Sequence, residues 1–564
     1  NTLWELPIDD RNYMYLENTS NGVGTLTLSK TGTPNATELY YSLDKSNWSP
    51  FDLTQATNTV NVPSGGKVYF RGDNSNGFNA AVDNKYTFSM NVSHIAGGDS
   101  RSLISATDFE NVTTMPQGCY CQLFISNTTI TGASDLLFPF ANVPQDGMRA
   151  VFNGCTSLTS IPSLSTITSV GQDGLRYFAA GSRITSVDLS SVKSVGTTGF
   201  ASAFNDCSQL NNVKCMNLDS WDTAKMGSWL NGVAASGTFT KPLGLAILRG
   251  SANTIPVGWT LSHYFNEYYY LPFYLQNNTS SATTFKLTGQ GGTKSYSKNV
   301  LSEIQYSFDN TNWTTLDVTS IQTATSLVTK TVNVPANGRI YLRGNNSNGL
   351  INPNASSGSV ITNFQLGASY SIGGNILSLI SKNFTTYTST LPKYCFRGAF
   401  GGVGVYNSGT PNTNLKDASK LIIPVRNTGD GGLYGLFYCA TQLTAVPDMT
   451  YINTVGGEGC SYMFAGKYVN GTTTQMNLVN GPDFSGTTSV SNVSNPGYGM
   501  YCLCQYCKKI TSITSPKVSS WPSNGMNSWL SNVASSGKVY KPSTLTIPTS
   551  SENGVPSGWS TSNY

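Results

Sequence analysis

The chain has 564 residues, more than one hydrophobic core supports, because cores stop growing at roughly 250 to 300 residues; several domains are expected. Only 11% of residues are charged, and the 33 basic and 29 acidic residues are interspersed without a basic run, so the electrostatic footprint of a nucleic-acid or anionic-membrane binder is missing. Aromatics at 11% exclude a disordered polar chain, and no stretch reaches the roughly 18 apolar residues of a membrane helix.

In chain order, "NTLWELPIDD" lacks the charged-then-apolar pattern of a secretory signal, and a first residue Asn1 predicts a processed product or a segment of a longer chain. Residues 1–12 read as a linker. From 13 to 93, short alternating runs ("TLTLSK", "ELYYSLD", "KVYFRG", "YTFSMNV") separated by Gly, Asn, Pro and Ser turns predict an all-β sandwich, with Trp48 as a core aromatic. From 94 to 263, Phe152, Cys155, Leu158 and Ile161 recur as Phe178, Gly181, Ile184 and Val187 and as Phe204, Cys207, Leu210 and Val213, each series preceded by a "VGQDG"-type turn. A period of 20 to 29 residues with one β-like segment and one helical or irregular segment marks a leucine-rich-repeat solenoid, in which stacked coils bury a continuous apolar ladder. "SWLNGVAASG" and the following Pro-x-Gly-Trp read as its cap.

The order then restarts. "EIQYSFDNTNW" (Glu303 to Trp313) rewrites "ELYYSLDKSNW" (Glu38 to Trp48), and "VNVPANGRIYLRGNNSNGL" (Val332 to Leu350) rewrites "VNVPSGGKVYFRGDNSNGF" (Val60 to Phe78). A second sandwich is expected over 264–370, with Trp313 in its core, and a second solenoid over 371–564. In that solenoid the ladder is Phe437, Ala440, Leu443 and Val446, then Cys504, Cys507, Ile510 and Ile513; a unit at Phe464 is interrupted by "YVNGTTTQMN". The expected fold class is mainly β, two tandem modules, each a sandwich followed by a short capped solenoid.

The "FNGCTSL" motif, the "GGN…SLI" lead-in, the "SWL…VA…G…KP" cap and the terminal "IPxGW" resemble BspA-type leucine-rich repeats of Bacteroidetes surface proteins and, more closely, of Bacteroides (crAss-like) phage virion proteins, where an Ig-like domain with a "YS.D…W…VYFRG" core precedes the repeats. The resemblance covers nearly all of the chain from Tyr13, although the coils here are few and diverged. It implies a non-enzymatic surface display or attachment protein on a virion fibre, head or tail. Its partners would be host-surface glycans or proteins and other virion proteins, and fibre analogy adds a trimer of identical chains. A bacterial cell-surface or secreted adhesin of BspA type is the alternative, and an enzyme acting on surface polysaccharide is a rival of another class. The resemblance supplies no catalytic residue, cofactor or metal.

The chemistry-bearing residues are read on their own spacing. Eleven cysteines leave at least one unpaired if all bridges are internal. "CLCQYC" (Cys502, Cys504, Cys507) with Cys460 has the look of a zinc knuckle, but Cys504 and Cys507 already occupy buried ladder positions, as Cys155 and Cys207 do. "GCYC" (Cys119, Cys121) reads the same way. Arg71-Gly72-Asp73 invites an integrin-ligand reading, but the second copy has Arg343-Gly344-Asn345, which favours a structural turn; "DNSNG" has too few carboxylates for a calcium loop. His94 and His263, at the expected domain junctions, have no nucleophile motif beside them. The run "HYFNEYYYLPFY" (His263 to Tyr274) is either a carbohydrate-stacking platform or packing between the first solenoid's cap and the second sandwich, which it opens. Solenoids bind through an extended curved face, which selects the exposed strand residues Thr185, Ser186, Asp188, Asn211, Asn212 and Lys214 as candidate binding residues.

Overall fold

The computed structural model describes residues 12–247, 249–251, 253–290, 301–323, 326–351, 361–387, 390–403, 410–469, 472–494, 497–549 and 552–564; the expected linker over 1–12 lies, but for Asn12, outside the described residues. The chain is mainly β, with 31% strand against 4% helix, arranged in several separate sheets. It divides into two compact units: residues up to Pro242 with Ile247–Ser262, and Leu243–Ala246 with His263–Tyr564.

Each unit opens with two sheets drawn from the alternating runs, one antiparallel and one antiparallel but for its last strand. In the first unit, Gly24–Thr31 lies between Thr57–Val62 and Lys85–Met90, and it alternates inward apolar with outward polar residues. The other sheet runs Ser49–Pro50, Tyr40–Ser42, Lys67–Arg71, Met14–Asn18, His94–Asp99 and Ile130–Leu137. Phe70 of this sheet packs on Phe88 of the first, ring centroids 4.6 Å apart, so the two share an interior. The second unit repeats the topology strand for strand: Thr314–Leu316, Ile304–Ser307, Arg339–Gly344, Phe273–Asn277, Tyr370–Asn375 and Leu415–Ile422, with Thr283–Gln290 between Val328–Val334 and Ile361–Leu366.

The expected boundary at 93/94 falls at the start of a strand that joins two regions. His94–Asp99 pairs antiparallel with Met14–Asn18 on one edge and parallel with Ile130–Leu137 on the other. Tyr370–Asn375 does the same between Phe273–Asn277 and Leu415–Ile422. The sheet therefore runs on into the coils, and in the second unit one hydrophobic cluster extends from Phe273 to Trp559.

Trp48 and Trp313 are half-buried, not core residues. Each follows a tight turn and covers a guanidinium: Arg71 lies 4.2 Å from the Trp48 ring and Arg343 4.0 Å from Trp313. The amphipathic indole suits this place, with its Nε1 at Trp48 donating to the Lys45 carbonyl.

The coils have three legs. One is a short strand with an exposed face: Ser186–Asp188, Asn212–Lys214, Thr238–Pro242 and Thr260–Tyr264 follow one another in a sheet, with parallel pairing over the first three. A second parallel ladder, Asn142–Val143, Ser169–Val170 and Ser194–Val195, was not foreseen from a pattern with one β-like segment per coil. The third leg is a run of turns whose alternate amides donate to the next coil, as Tyr120 N to Gly147 O, Gln122 N to Arg149 O and Phe124 N to Val151 O. Its backbone enters positive φ at every fourth residue, three times per coil, and at the middle one of the three Gln122, Ala150, Tyr177 and Ser202 lie between 53° and 59°. Side chains there cost about 1–2 kcal/mol each, which the coil-to-coil hydrogen bonds offset.

This periodic feature defines the true rung two residues later: Phe124, Phe152, Ala179 and Phe204. The third rung is Ala179 rather than the expected Phe178, and Ser182, not Gly181, takes the place of Cys155 and Cys207. One residue is missing between Ser182 and Ile184, so counting back from Ile184 misplaces the rung. Phe178 is nevertheless fully buried. Phe124 stacks parallel on Phe152 at 5.4 Å and 6°, whereas Phe178 meets Phe152 and Phe204 edge-on at 83° and 84°. The ladder's other members are buried except Ile161 and Val446, which are half-buried. In the second unit Phe400, Phe437 and Phe464 form the column, at 5.9 and 5.4 Å, and Cys504 continues it. At the interrupting "YVNGTTTQMN", Lys467–Val469 pairs antiparallel with Thr472–Thr474.

The glycines of the "VG" turns are demanded by stacking. A Cβ on Gly196 would lie 2.8 Å from the Gly171 carbonyl carbon, and one on Gly456 2.5 Å from the Gly429 oxygen. The caps add a further parallel strand and two tryptophans. Trp259 and Trp559 donate Nε1 to Ala234 O and Ala534 O at 2.8 and 2.7 Å, and their rings press on Gly237 and Gly537, where a Cβ would come within 2.9 and 2.7 Å.

Candidate binding face

The exposed strand leg of the first unit brings the six candidate residues together. Parallel pairing sets Ser186 beside Asn212 and Asp188 beside Lys214, while Val187 and Val213 between them point inward and are buried. Thr185 precedes the strand, and its carbonyl accepts from the amides of Asn211 and Asn212. All six are exposed except Lys214, which is half-buried. Lys214 Nζ lies 3.0 Å from Asp188 Oδ2, and Asp188 Oδ1 accepts from the Ser190 amide and hydroxyl at 2.9 and 2.6 Å. Partial burial raises the Asp188 pKa, but the hydrogen bonds from Ser190 and the ammonium of Lys214 outweigh it, so the carboxyl titrates below its ordinary range. The arrangement is a comb of hydroxyls, amides and one ion pair that donates and accepts hydrogen bonds along the stacking direction.

The face continues toward the sheet region. Thr159 N and Oγ1 both donate to Thr131 O, and a shallow depression of about 300 Å³ is lined by Ile95, Thr131, Gly132, Asp135, Thr159 and Ser160. Sequence reasoning did not select these residues. The available signal was that "TITGASD" follows the rung Phe124 in the same place as "TSVDLS" and "NNVKCM" follow the rungs of later coils.

The other chemical groups are absorbed into structure. All eleven cysteines are buried free thiols. Cys155, Cys207 and Cys507 donate to carbonyls of the preceding coil, Phe124, Ala179 and Phe464, each at 3.1 Å. Desolvation pushes the thiols of Cys119, Cys121 and Cys155 up to about 12 and that of Cys504 well above its ordinary value. Among the described residues no cluster of three or more His, Cys, Asp or Glu side chains is placed to hold a metal ion.

His94 is buried, with Nδ1 2.8 Å from Val92 O and Nε2 3.0 Å from the Asn127 amide nitrogen. The carbonyl assigns the proton to Nδ1 and leaves Nε2 as acceptor. Burial lowers its pKa against the opposing hydrogen bond to Val92. In the second unit Tyr370 occupies this place and its OH accepts from Asn412 at 2.8 Å, so an imidazole is not required there. His263 Nε2 is 2.8 Å from Thr450 Oγ1, but that hydroxyl donates to Asp448 Oδ1 at 2.6 Å, which directs its proton away from the imidazole.

Asp73 Oδ1 accepts from Ala106 N at 2.7 Å. Next to it, Asn74 Oδ1 accepts from the amides of Thr37 and Glu38 while Nδ2 donates to Glu38 O and Leu103 O. Asn346 repeats all four bonds with Ser302, Glu303 and Leu379. The Arg-Gly-Asp turn is thus built around a buried asparagine shared by both copies.

No family model, curated protein or solved structure matches the chain.

Within the aromatic run, Glu267–Tyr270 forms a one-turn helix and Phe273–Asn277 a strand. Tyr269 and Tyr274 are buried, Tyr269 donating to Thr385 O at 2.7 Å, and Phe265 stacks on Tyr269 with centroids 4.0 Å apart. Tyr270 and Phe265 are the exposed rings of the group, at 59% and 43%.

Proposed function

We propose that the chain is a non-enzymatic display and attachment protein made of two tandem modules, each an Ig-like β-sandwich followed by a capped leucine-rich-repeat solenoid of BspA type. It is carried on a phage virion surface, as a fibre or a capsid or tail decoration, and contacts host-surface glycans or proteins. The observation that carries the reading is the parallel comb of Thr185, Ser186 and Asp188 beside Asn211, Asn212 and Lys214 on a stack held rigid by its own interior. A rigid, polar, periodic surface binds without paying the ordering entropy of a flexible loop. The buried, protonated thiols and the pinned His94 support recognition over covalent chemistry.

The test is adsorption of the purified chain to Bacteroides cells. The variant Asp188→Ala/Asn212→Ala/Lys214→Ala should lose adsorption while melting like the wild type; equal adsorption would reject the face. Immunogold labelling with an antibody to the chain separates the virion reading, with label on phage particles, from the adhesin reading, with label on uninfected cells. Release of oligosaccharides from host polysaccharide by the purified chain would establish the enzyme instead.

A further inference from the structure

On the turn leg of the second unit, successive coils carry Tyr394, Tyr434, Tyr462 and Tyr501, with neighbouring ring centroids 6.4, 5.7 and 5.2 Å apart. Tyr438 and Tyr498 flank them at 6.2 Å from Tyr462 and 6.4 Å from Tyr501. All six are half-buried, so each ring is held in the coil with part of its surface in solvent. Arg397 lies over Tyr394 and Tyr434 at 5.1 and 4.7 Å, and Tyr394 OH donates to Glu458 Oε2 at 2.8 Å, which fixes the first rings of the row.

The first unit shows that the coil does not need the rings of Tyr434 and Tyr501, although Tyr177 stands there where Tyr462 stands here. Three residues before the rungs Phe437 and Cys504 stand Tyr434 and Tyr501; three residues before the matching rungs Phe152 and Phe204 stand Arg149 and Ala201. There the leg closes on an ion-pair row, Arg149 with Asp146 at 2.9 Å and Arg176 with Asp173 at 3.2 Å. The same backbone thus carries saturated ion pairs in one copy and an aromatic row in the other. A tyrosine joins an apolar face to a hydroxyl rim, the complement of a pyranose ring with its C–H face and hydroxyl edge. Coils repeat at about 4.8 Å, and one ring follows another at 5.2 to 6.4 Å across four coils, so the row suits a polymer more than a single sugar. The charges beside it, Lys393 and Arg397 with Asp430, Glu458 and Glu552, leave no positive excess, which favours an uncharged chain over a polyanion.

We propose that this tyrosine track binds a linear neutral polysaccharide laid along the stacking direction of the second unit. It is a different leg from the polar strand face of the first unit and does not depend on it.

The test is affinity electrophoresis of the full chain in native gels containing a neutral β-glucan, α-glucan or mannan, with hyaluronan as the anionic probe. Tyr434→Arg/Tyr501→Ala installs the first unit's own residues, and Tyr434→Arg alone is the milder variant should the pair fail to fold. Retardation by at least one neutral polysaccharide is expected, weakened about tenfold in the double variant and by a smaller factor in the single one, from the loss of ring contacts. Asp73→Asn, on a turn of the first unit outside both faces, should leave it unchanged. The proposal is overturned if no neutral polysaccharide retards the chain, if hyaluronan alone does, or if the folded tyrosine variants bind as tightly as the wild type.

Discussion

Phe152→Ala tests the column on which the coils are built. The ring is fully buried, stacked parallel on Phe124 at 5.4 Å and met edge-on by Phe178 at 5.6 Å. Phe→Ala in a core costs about 3–5 kcal/mol, more when the site cannot collapse. Collapse is blocked here because the backbone on both sides is tied coil to coil, Phe124 N to Val151 O and Phe152 N to Phe178 O, so the upper half of that range is expected. Hydrogen exchange read by mass spectrometry on peptides spanning residues 118–215 measures the change in opening free energy in the full chain without assuming a single global transition. Ile161→Ala is the internal control: that side chain is half-buried, and its loss should cost about half as much or less. A Phe152→Ala effect below about 1 kcal/mol, or equal to that of Ile161→Ala, would refute the stacked-column reasoning.

Three further outcomes are expected. The eleven thiols should resist Ellman's reagent in the native protein and all react in urea, because burial keeps them protonated; rapid native labelling of Cys504 or Cys507 would contradict this. His94 has a native pKa lowered from 6.5, so the unfolded chain takes up a proton first; the stability it confers is complete above about pH 6.5 and declines as pH falls from there toward the lowered native value. His94→Tyr, copying Tyr370, should flatten that part of the pH profile of the first unit's melting, and an unchanged slope would discount the buried neutral imidazole. Asp73→Asn keeps an acceptor for Ala106 N and should be near neutral, whereas Asp73→Ala should cost about 1 kcal/mol by urea titration; equal effects of the two would mean that the hydrogen bond contributes nothing.

The sequence by itself determined the duplication, the alternating strands and the coil period, because each is a local regularity: side chains of a strand alternate every second residue, and a stacked coil must restore its apolar residues at each return. It likewise placed Cys155, Cys207, Cys504 and Cys507 indoors, and it put Ser186, Asp188, Asn212 and Lys214 on one polar strand face. What it could not decide was register across coils. A one-residue deletion between Ser182 and Ile184 moves the rung from Phe178 to Ala179, and only hydrogen bonding between neighbouring coils counts that residue. The same holds for Trp48, whose hydrophobicity is compatible with a core until Arg71 is found beneath it, and for His94–Asp99, which the linear order sets at a boundary and the pairing sets in the middle of a sheet. The tyrosine row belongs wholly to tertiary structure, since Tyr394, Tyr434, Tyr462 and Tyr501 are separated by unequal intervals of 40, 28 and 39 residues and become neighbours only when insertions are looped out of the stack.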